Sequence, residues 1–460
     1  MARHRVGPTV VLAVLLMAAA CGRTDDDSSP PSTAGPPGGT VTDDAEAACE
    51  GVELEATDVG ITADTITIQV MADTGSPLAP GLFQGNIDAV QGFAEYVNAN
   101  GGIACRELVV TTWDSKLDPS ESKNGLIIAC RDAFAMVGGN SLFNPDVEPL
   151  TTCPDATGAA TGLPNLAGLT ADTAEACAAT TYSVQPRGET CPIQTGERSI
   201  TQFLGYWKWL LEQDPDMKGL FLVPGDLPTT VLASAPIMEG QRQAGIDVVA
   251  AYKVSGRDEQ AAYTPKVQAV RNLGANMVYD GSNDVAMVKM RQEAAAQGLT
   301  DVEYWVCSIA CYTDAFTQAG SVVDGTYVGM TFLPFEERDH NQELANYLDH
   351  VPTPTSWGAN GWQAAVLFQT AVDRIVTADG PNALTRARLL EELASIDTFD
   401  ANGWMAPLPL HGVGACGLVM QIEGGEFHRV FPDEPGTFDC RPEYVQAVTL
   451  DPAVVSATFQ

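Results

Sequence analysis

The segment AFAMVGGNSLFN, residues 133–144, combines residue types that bring a backbone close to a ligand. A short apolar run ends in Gly138 and Gly139, and Asn140 and Ser141 follow directly. Glycine at a strand end permits close backbone approach, and amide and hydroxyl side chains then supply hydrogen bonds. The pattern suits three kinds of site: one for a phosphate, one for a catalytic intermediate, or one that only holds a small solute.

Three motifs that would assign phosphate chemistry or catalysis are missing. The chain has no GxSxG, GxxxxGK(S/T) or HExxH motif, and no lysine or arginine lies within residues 133–144. The later histidines have no histidine or cysteine at ligand spacing, so we expect no metal and no cofactor; they are His340, His350, His411 and His428. A hydrolase built on an unrecognised pair among the 59 Asp and Glu residues stays an alternative.

The N-terminus resembles an export signal. A basic MARHR start precedes an uncharged apolar run over residues 10–20, and small residues lead up to Cys21. The run is too short for a membrane span, which needs ~20 apolar residues. Residues 18–21, AAAC, resemble a bacterial lipobox, in which the cysteine is acylated and becomes the mature N-terminus. An ordinary signal peptide over residues 1–20 that happens to precede a cysteine is the alternative.

We predict a lipidated, disordered tether over residues 21–57. Residues 22–44 consist largely of Asp, Ser, Pro, Gly and Thr, a composition too polar to fold around a core. Acyl chains on Cys21 would hold the following domain at the outer face of the cell membrane. The sequence therefore predicts an exported protein anchored by a lipid.

The cysteine content agrees with export. The chain has 11 cysteines, and 10 remain when Cys21 is set aside. An exported compartment permits disulfides, whereas spacing alone does not determine their connectivity. The pairs that we favour are Cys49–Cys105, Cys130–Cys153, Cys177–Cys191, Cys307–Cys311 and Cys416–Cys440.

The charge balance argues against one class of partner. There are 59 Asp and Glu residues against 24 Lys and Arg, which makes the formal net charge −35. A nucleic-acid backbone requires a basic face, so we expect no nucleic-acid partner. Roughly 400 residues follow the tether, enough for two or three domains that each have a core.

Short apolar runs alternate with amphipathic stretches from residue 61 onward, which predicts βαβ units. The strands expected from this pattern are 66–71, 108–113, 134–137, 219–223, 248–254 and 277–279. The helices expected between them are 86–98, 120–131, 229–244, 263–273 and 285–297. Later come helical stretches at 339–350, 357–377 and 384–394 and a hairpin at 418–430. The predicted fold class is α/β, with two doubly wound parallel-sheet lobes.

Five segments occur in an order typical of one family of transport proteins. They are VNANGGI at 97–103, TWDSKLDP at 112–119, FAMVGG at 134–139, AAQGL at 295–299 and GANGWQAA at 358–365. With the Gly-Ser turn at 75–76, they resemble extracytoplasmic solute-binding proteins of the branched-chain amino acid (leucine/isoleucine/valine) type, which serve ABC importers. The resemblance covers about residues 60–430.

The resemblance implies a periplasmic-binding-protein type I fold, in which three crossovers join two α/β lobes and the ligand lies between them. Lobe 1 would comprise residues 58–186 and 333–402, and lobe 2 residues 187–332 and 403–460. It also implies hinge closure rather than catalysis, an amino acid or related small solute as ligand, an ABC importer permease as partner, and a monomer. A sensing module of the same fold that signals to a separate membrane partner is the alternative.

Ligands of open α/β sheets bind beyond the carboxyl ends of the strands. The resemblance places first-lobe contacts at three such ends and on one aromatic side chain; these candidates are Ser76, Phe83, Gly139, Asn140, Ser141, Leu169 and Thr170. Hydroxyl and backbone groups there would hold the carboxylate and ammonium groups of an amino acid. The alternative is that Ser76 and Thr170 only cap helices and form turns.

The second lobe departs from the family pattern. Ile309 and Ala310 stand where the amino-acid binders have an acidic residue that holds the ligand ammonium group. Asp226, Asp280 or Asp284 could take over that role. The second-lobe ligand candidates are Asp226, Ser282, Asn283 and Tyr312.

Overall fold

The first sheet comes from the N-terminal part of the described chain, which comprises residues 45, 47–193, 196–225, 228–451 and 458–459 of a computed structural model. Its strands are β1 (Thr65–Ala72), β2 (Glu107–Asp114), β3 (Ala135–Val137), β4 (Asn165–Ala167) and β5 (Thr181–Ser183). The helices that connect them are α1 (Gln84–Ala99), α2 (Pro119–Asp132), α3 (Glu148–Thr152) and α4 (Thr173–Ala176). All five strands are parallel and lie in the order β2-β1-β3-β4-β5.

The second sheet combines a parallel part with an antiparallel hairpin. The strands that follow β5 are β6 (Arg198–Phe203), β7 (Lys218–Pro224), β8 (Asp247–Val254), β9 (Met277–Asp280), β10 (Tyr304–Cys307), β11 (Thr326–Met330), β12 (Cys416–Glu423), β13 (Glu426–Phe431), β14 (Asp439–Cys440) and β15 (Val445–Leu450). The helices among them are α5 (Gly205–Gln213), α6 (Pro228–Ala244), α7 (Thr264–Leu273), α8 (Asp284–Ala296) and α9 (Asp314–Thr317). The strand order is β13-β12-β11-β10-β9-β7-β8, β14 pairs with β12, and β6 pairs separately with β15.

Three later helices return the chain to the first sheet: α10 (Gln342–His350), α11 (Ser356–Asp379) and α12 (Arg386–Ser395). Phe93 of α1 meets Trp362 of α11 edge to face, with ring centroids 5.2 Å apart. A Cβ at Gly361 of α11 would lie 3.0 Å from the carbonyl oxygen of Asn86, so the two helices are in close contact. The chain therefore passes between the sheets after β5, after β11 and before β12.

Thr331 ties these three crossovers together. Its Oγ1 interacts with Gln185 Nε2, which donates to it at 2.9 Å from the first crossover. Its carbonyl oxygen accepts from the backbone N–H of Ala406, in the third, at 2.7 Å. The fold is the predicted α/β class with two lobes, whereas the residue limits of the lobes stay predictions.

The sequence explains why the central elements form. Strands covered by helices on both faces are apolar on both faces, and residues 68–72 of β1 and 219–223 of β7 are all buried. Helix α2 begins at Pro119 because the Asp118 carboxylate accepts from the backbone N–H groups of Ser120 and Glu121. Local capping and apolar runs thus determine where these strands and helices begin and end.

A buried arginine consolidates the first lobe. Arg386, at the start of α12, donates to the carbonyl oxygens of Phe134 at 3.2 Å, Cys130 at 2.9 Å and Pro154 at 2.8 Å. The disulfide Cys130–Cys153 joins the same region. The guanidinium group therefore fixes the end of α2, the start of β3 and the loop after α3 with respect to α12.

The described residues form five disulfides, and their pairs are those favoured from the sequence: Cys49–Cys105, Cys130–Cys153, Cys177–Cys191, Cys307–Cys311 and Cys416–Cys440. Two other predictions fall outside the described residues. One is the leader and the acylated Cys21, which lie within residues 1–44, and the other is Asp226.

Candidate functional site

The loops that follow β1, β3 and β4 lie side by side, because these strands are neighbours in the first sheet. Asn140 N donates to Met71 O at 2.9 Å, and Asp73 N donates to Asn140 O at 3.1 Å. Gly168 N donates to Gly139 O at 3.0 Å. The three loops that carry the first-lobe candidates therefore meet at one end of the sheet.

The glycine pair that follows β3 serves close packing inside the lobe. Gly138 has a φ of 73°, and a Cβ there would lie 2.9 Å from the carbonyl oxygen of Gly361 in α11. A Cβ at Gly139 would lie 2.6 Å from the carbonyl oxygen of Met71. Both glycines are thus required by the contacts of β3 with α11 and β1, whatever ligand lies beyond the strand end.

The two polar residues after the glycines, Asn140 and Ser141, differ in whether their side chains have an atom without a hydrogen-bond partner. Asn140 is 1% exposed, and its Nδ2 donates to Asn86 Oδ1 at 3.3 Å, while its Oδ1 has no hydrogen-bond partner among the described residues. Ser141 is 4% exposed, and its Oγ lies 2.9 Å from Ser122 Oγ on α2. Asn140 therefore retains an unused acceptor, whereas Ser141 has a partner within its own lobe.

A buried carboxylate organises these loops, although it was not a candidate from the sequence. Asp73 accepts from Ser115 Oγ at 2.6 Å, Leu117 N at 2.7 Å and Leu142 N at 2.8 Å. Burial raises the pKa of Asp73, and these donors oppose the rise. The carboxylate joins the loops after β1, β2 and β3 and so holds the strand ends in place.

The remaining first-lobe candidates lie in three different settings. The hydroxyl of Ser76 accepts from Leu78 N at 3.3 Å, which is the turn-forming role given as its alternative. Phe83 is 2% exposed and packs edge to face on Trp357, with centroids 5.5 Å apart. Leu169 is half-buried, and Thr170 is buried with no side-chain hydrogen bond within the described chain.

The end of β9 carries the main polar group of the second sheet. Asp280 is 0% exposed; its Oδ1 accepts from Ser282 N at 2.7 Å, and its Oδ2 has no partner in the part of the chain that the structure describes. Burial raises the pKa of Asp280 to about 8. Asn283 caps α8 by accepting from Ala286 N at 3.0 Å, and its Nδ2 donates to Ser282 Oγ at 3.2 Å. The structure thus brings Ser282 and Asn283 next to a carboxyl group that has one oxygen without a hydrogen-bond partner among the described residues.

Tyr312, in the loop after β10, is buried in a packed setting. Its hydroxyl donates to Glu336 Oε2 and accepts from Phe335 N at 2.7 Å. The ring packs on Phe427, with centroids 4.7 Å apart. The side chain therefore connects the second sheet to the segment that follows the second crossover. The third acidic alternative, Asp284, accepts from Thr313 Oγ1 at 2.7 Å.

A cavity of about 340 Å³, here called the hinge pocket, lies beside β5. Its lining residues are Thr170, Ala176, Cys177, Ala178, Ala179, Thr181, Ser183, Pro186, Arg187, Gly188, Glu189, Cys191, Leu410 and His411. Thr170 belongs to the ligand candidates as well. Arg187 was not predicted, because a single arginine after a proline has no motif that would reveal it.

One glycine-rich segment has the spacing of a dinucleotide-binding loop. Residues 412–417, GVGACG, match G-x-G-x-x-G. Such a loop must leave a strand and open a helix. Here it leads into β12 and is followed by the β12–β13 hairpin, so it lacks the structural context for binding a dinucleotide.

Comparison with solved structures finds the same fold in several transport proteins. A substrate-binding protein of an ABC transporter from Desulfitobacterium hafniense, in complex with leucine, is 14% identical with a TM-score of 0.58, covering 80% of this chain and 100% of that one. A fatty acid ABC transporter substrate-binding protein from Thermomonospora curvata is 16% identical with a TM-score of 0.60, covering 85% and 99%. A solute-binding protein of an ABC transporter from R. palustris, in complex with benzoate, is 14% identical with a TM-score of 0.57, covering 82% and 98%.

The family assignment comes from the sequence. No curated protein matches the chain, but the family model described as periplasmic binding protein matches residues 65–426. Among the described helices, none has the length and apolar character needed to cross a membrane. The match spans the strands of both sheets from β1 to β12 and the three crossovers, and the chain therefore belongs to the periplasmic binding protein family.

Proposed function

We propose that this protein captures a small solute with a carboxylate group, an amino acid or a related compound, between its two lobes and delivers it to an ABC importer. The observation that carries the proposal is the pairing of two sheets whose strand ends present small polar groups, joined by three crossovers. The ligands named for three proteins of the same fold are leucine, a fatty acid and benzoate, and each of them has a carboxylate. Binding without turnover is the expected activity.

The proposed solute site combines the strand ends of both sheets. From the first lobe, Asn140 would contribute its unused Oδ1, and the loops that carry Ser76 and Thr170 would contribute hydroxyl and backbone groups. From the second lobe, Ser282 and Asn283 would contribute polar contacts beside Asp280. Because β-strand ends and helix starts are held by capping bonds, little order has to be gained when the solute binds.

Asp280 would replace the acidic residue that amino-acid binders use for the ligand ammonium group. Its Oδ2 has no partner among the described residues, and a buried carboxyl whose pKa is raised to about 8 is neutral at pH 7. A ligand ammonium group next to it would stabilise the ionised form and offset the cost of desolvation. Ile309 and Ala310, by contrast, provide no charge.

Membrane attachment and the transport partner complete the proposal. Acylation of Cys21 would hold the protein at the outer face of the cell membrane, beside an ABC importer permease. Metabolic labelling with a radioactive fatty acid should label the wild-type protein and leave Cys21→Ser unlabelled. Equal labelling of the two proteins would contradict anchoring at this residue.

Thermal shift measurements with a panel of amino acids and small carboxylates test solute binding. A ligand present at 100 times its Kd adds ~2.7 kcal/mol to stability, which raises the Tm clearly. Ser76→Ala and Ser282→Ala, one in each lobe, should each weaken binding of the best ligand, whereas Ser321→Ala, at an exposed position, is the control. No shift with any compound would contradict the proposed function, and two unaffected variants would contradict the proposed site.

A further inference from the structure

The hinge pocket borders the strand ends proposed for the solute and shares only Thr170 with the candidates there. β5 is the edge strand of the first sheet, and Thr181 and Ser183 line the pocket from this edge. Arg187 and Glu189 enter from the first crossover, and His411 from the third. The walls are therefore formed by the first lobe and by two of the three connections between the lobes.

The hydroxyl groups of the pocket have protons left to donate. Thr181 Oγ1 accepts from Asn165 Nδ2 at 3.2 Å, and Ser183 Oγ accepts from Gln185 N at 3.2 Å. A hydroxyl that accepts a hydrogen bond retains its own proton for another partner. Thr170 has no side-chain hydrogen bond within the described residues. All three hydroxyls can therefore donate to a molecule in the cavity.

Arg187 adds donors and positive charge. Its Nε donates to Glu189 at 3.2 Å, its Nη1 to Ala171 O at 2.6 Å and its Nη2 to Leu232 O at 3.4 Å. A guanidinium group has five N–H donors, so two remain after these three bonds. The arginine thus touches both the loop after β4 and helix α6 of the second lobe while part of its donor capacity is unused.

The one carboxylate in the pocket lining, that of Glu189, is already paired with arginine side chains. Glu189 Oε2 accepts from Arg187 Nε, and Oε1 accepts from Arg198 Nη1 at 3.3 Å. Two arginines share this carboxylate, and the Glu189 side chain is only 1% exposed. Asp172 also attracts Arg187, but it caps α4 and does not line the cavity. The side chains of the lining therefore include several donors and one carboxylate that is paired with arginines, in a protein whose net charge is −35.

We propose that the hinge pocket is a second binding site, for a small carboxylate held by the hydroxyls of Thr170, Thr181 and Ser183 and by the remaining N–H groups of Arg187. A volume of about 340 Å³ is at the lower end of the range for ligand pockets, ~300–1,000 Å³. Ala176, Ala178 and Leu410 provide an apolar wall for the hydrocarbon part. A bound acid would contact the first and third crossovers at once.

Calorimetric titration with benzoate and with benzamide tests the proposal, since the two probes have the same shape and differ in charge. Wild-type protein should bind benzoate at least about tenfold more tightly than benzamide, because charge-assisted hydrogen bonds are lost with the amide. Ala179→Leu, which adds bulk at an exposed position of the lining, should weaken benzoate binding by a similar factor. Ala295→Leu, at an exposed position of α8, should leave it unchanged.

Thr181→Val provides a second variant that keeps the shape of the pocket and removes one donor. It should weaken benzoate binding about threefold to tenfold and leave benzamide binding closer to the wild-type value. Absence of benzoate binding to the wild type, or equal affinities for acid and amide, would overturn the proposal. Benzoate binding that is unaffected by both Ala179→Leu and Thr181→Val would place the acid elsewhere, which overturns the second site while remaining compatible with the proposed solute site.

Discussion

The carboxyl ends of the two sheets each carry a fully buried aspartate, but the two side chains differ in how many donors reach them. In the first lobe, Asp73 accepts three hydrogen bonds, from Ser115, Leu117 and Leu142. In the second lobe, Asp280 accepts one from Ser282, and its other oxygen has no partner among the described residues. A carboxylate whose two oxygens both accept hydrogen bonds holds loops in place. A carboxylate with one oxygen left without a partner can still bind a proton or contact a ligand.

This difference suggests a division of labour between the lobes. The first sheet offers a rigid platform, because the contacts of Asp73 and of the glycines after β3 hold its loops in place. The second sheet offers the group whose ionisation depends on what lies next to it, since burial raises the pKa of Asp280 to about 8. Substitutions at the two aspartates should therefore change the free energy of unfolding differently, and at pH 7 in opposite directions.

The largest expected effect is the pH dependence that Asp280 confers on stability. Its pKa is raised from 3.8 to about 8 in the folded protein, so between these values the folded state holds one more proton than the unfolded state. Stability should then fall as the pH rises from 4 to 8. When the pH is raised from 5 to 8, the free energy of unfolding of the wild type should fall by about 3 kcal/mol more than that of Asp280→Asn, as measured by urea unfolding.

The exposed Asp301 supplies the control for this measurement. Asp301→Asn should keep the slope of the wild type between the two pH values. If Asp280→Asn also kept that slope, Asp280 would be ionised in the folded protein and the contrast between the lobes would be lost.

Asp73→Asn should produce the next largest effect on stability: it should lower the free energy of unfolding, whereas Asp280→Asn should raise it. An amide at this position would direct its own N–H groups at Leu117 N or Leu142 N, which are donors themselves. We expect a loss of about 2 kcal/mol at pH 7, whereas Asp280→Asn should raise stability at the same pH. Urea unfolding midpoints of both variants decide the comparison, and a stabilising Asp73→Asn would contradict the platform role.

A smaller effect is expected on solute recognition, under the proposed function. The amino acid that gives the largest thermal shift should be compared with its deaminated acid, which keeps the carboxylate. Asp280→Asn should weaken binding of the amino acid about tenfold and should hardly change binding of the acid, because only the former has an ammonium group. Equal losses for both compounds would mean that Asp280 does not contact the ammonium group.

The sequence predicted the alternation of elements well, but it did not reveal the fine structure of the strand ends. Long periodic elements such as α1 and β1 were recognisable, whereas β5 has only three residues and is too short to show a period. Asp73 and Asp280 look alike in the sequence, and only their neighbours in space separate them. Arg187 went unnoticed because its partners, Ala171 and Leu232, lie 16 and 45 residues away in the chain.

The smallest predicted effect concerns Ser141, which was chosen from the sequence as a ligand contact and remains a candidate. Its hydroxyl lies 2.9 Å from that of Ser122, and both side chains are buried, so the two form a hydrogen bond between the loop after β3 and α2. Ser141→Ala should lower stability by about 1 kcal/mol, because Ser122 loses its partner. A double-mutant cycle with Ser122→Ala should give a coupling energy of similar size, measured by urea unfolding. A coupling energy near zero, together with weaker solute binding by Ser141→Ala, would mean that Ser141 contacts the solute directly and does not stabilise the first lobe through Ser122.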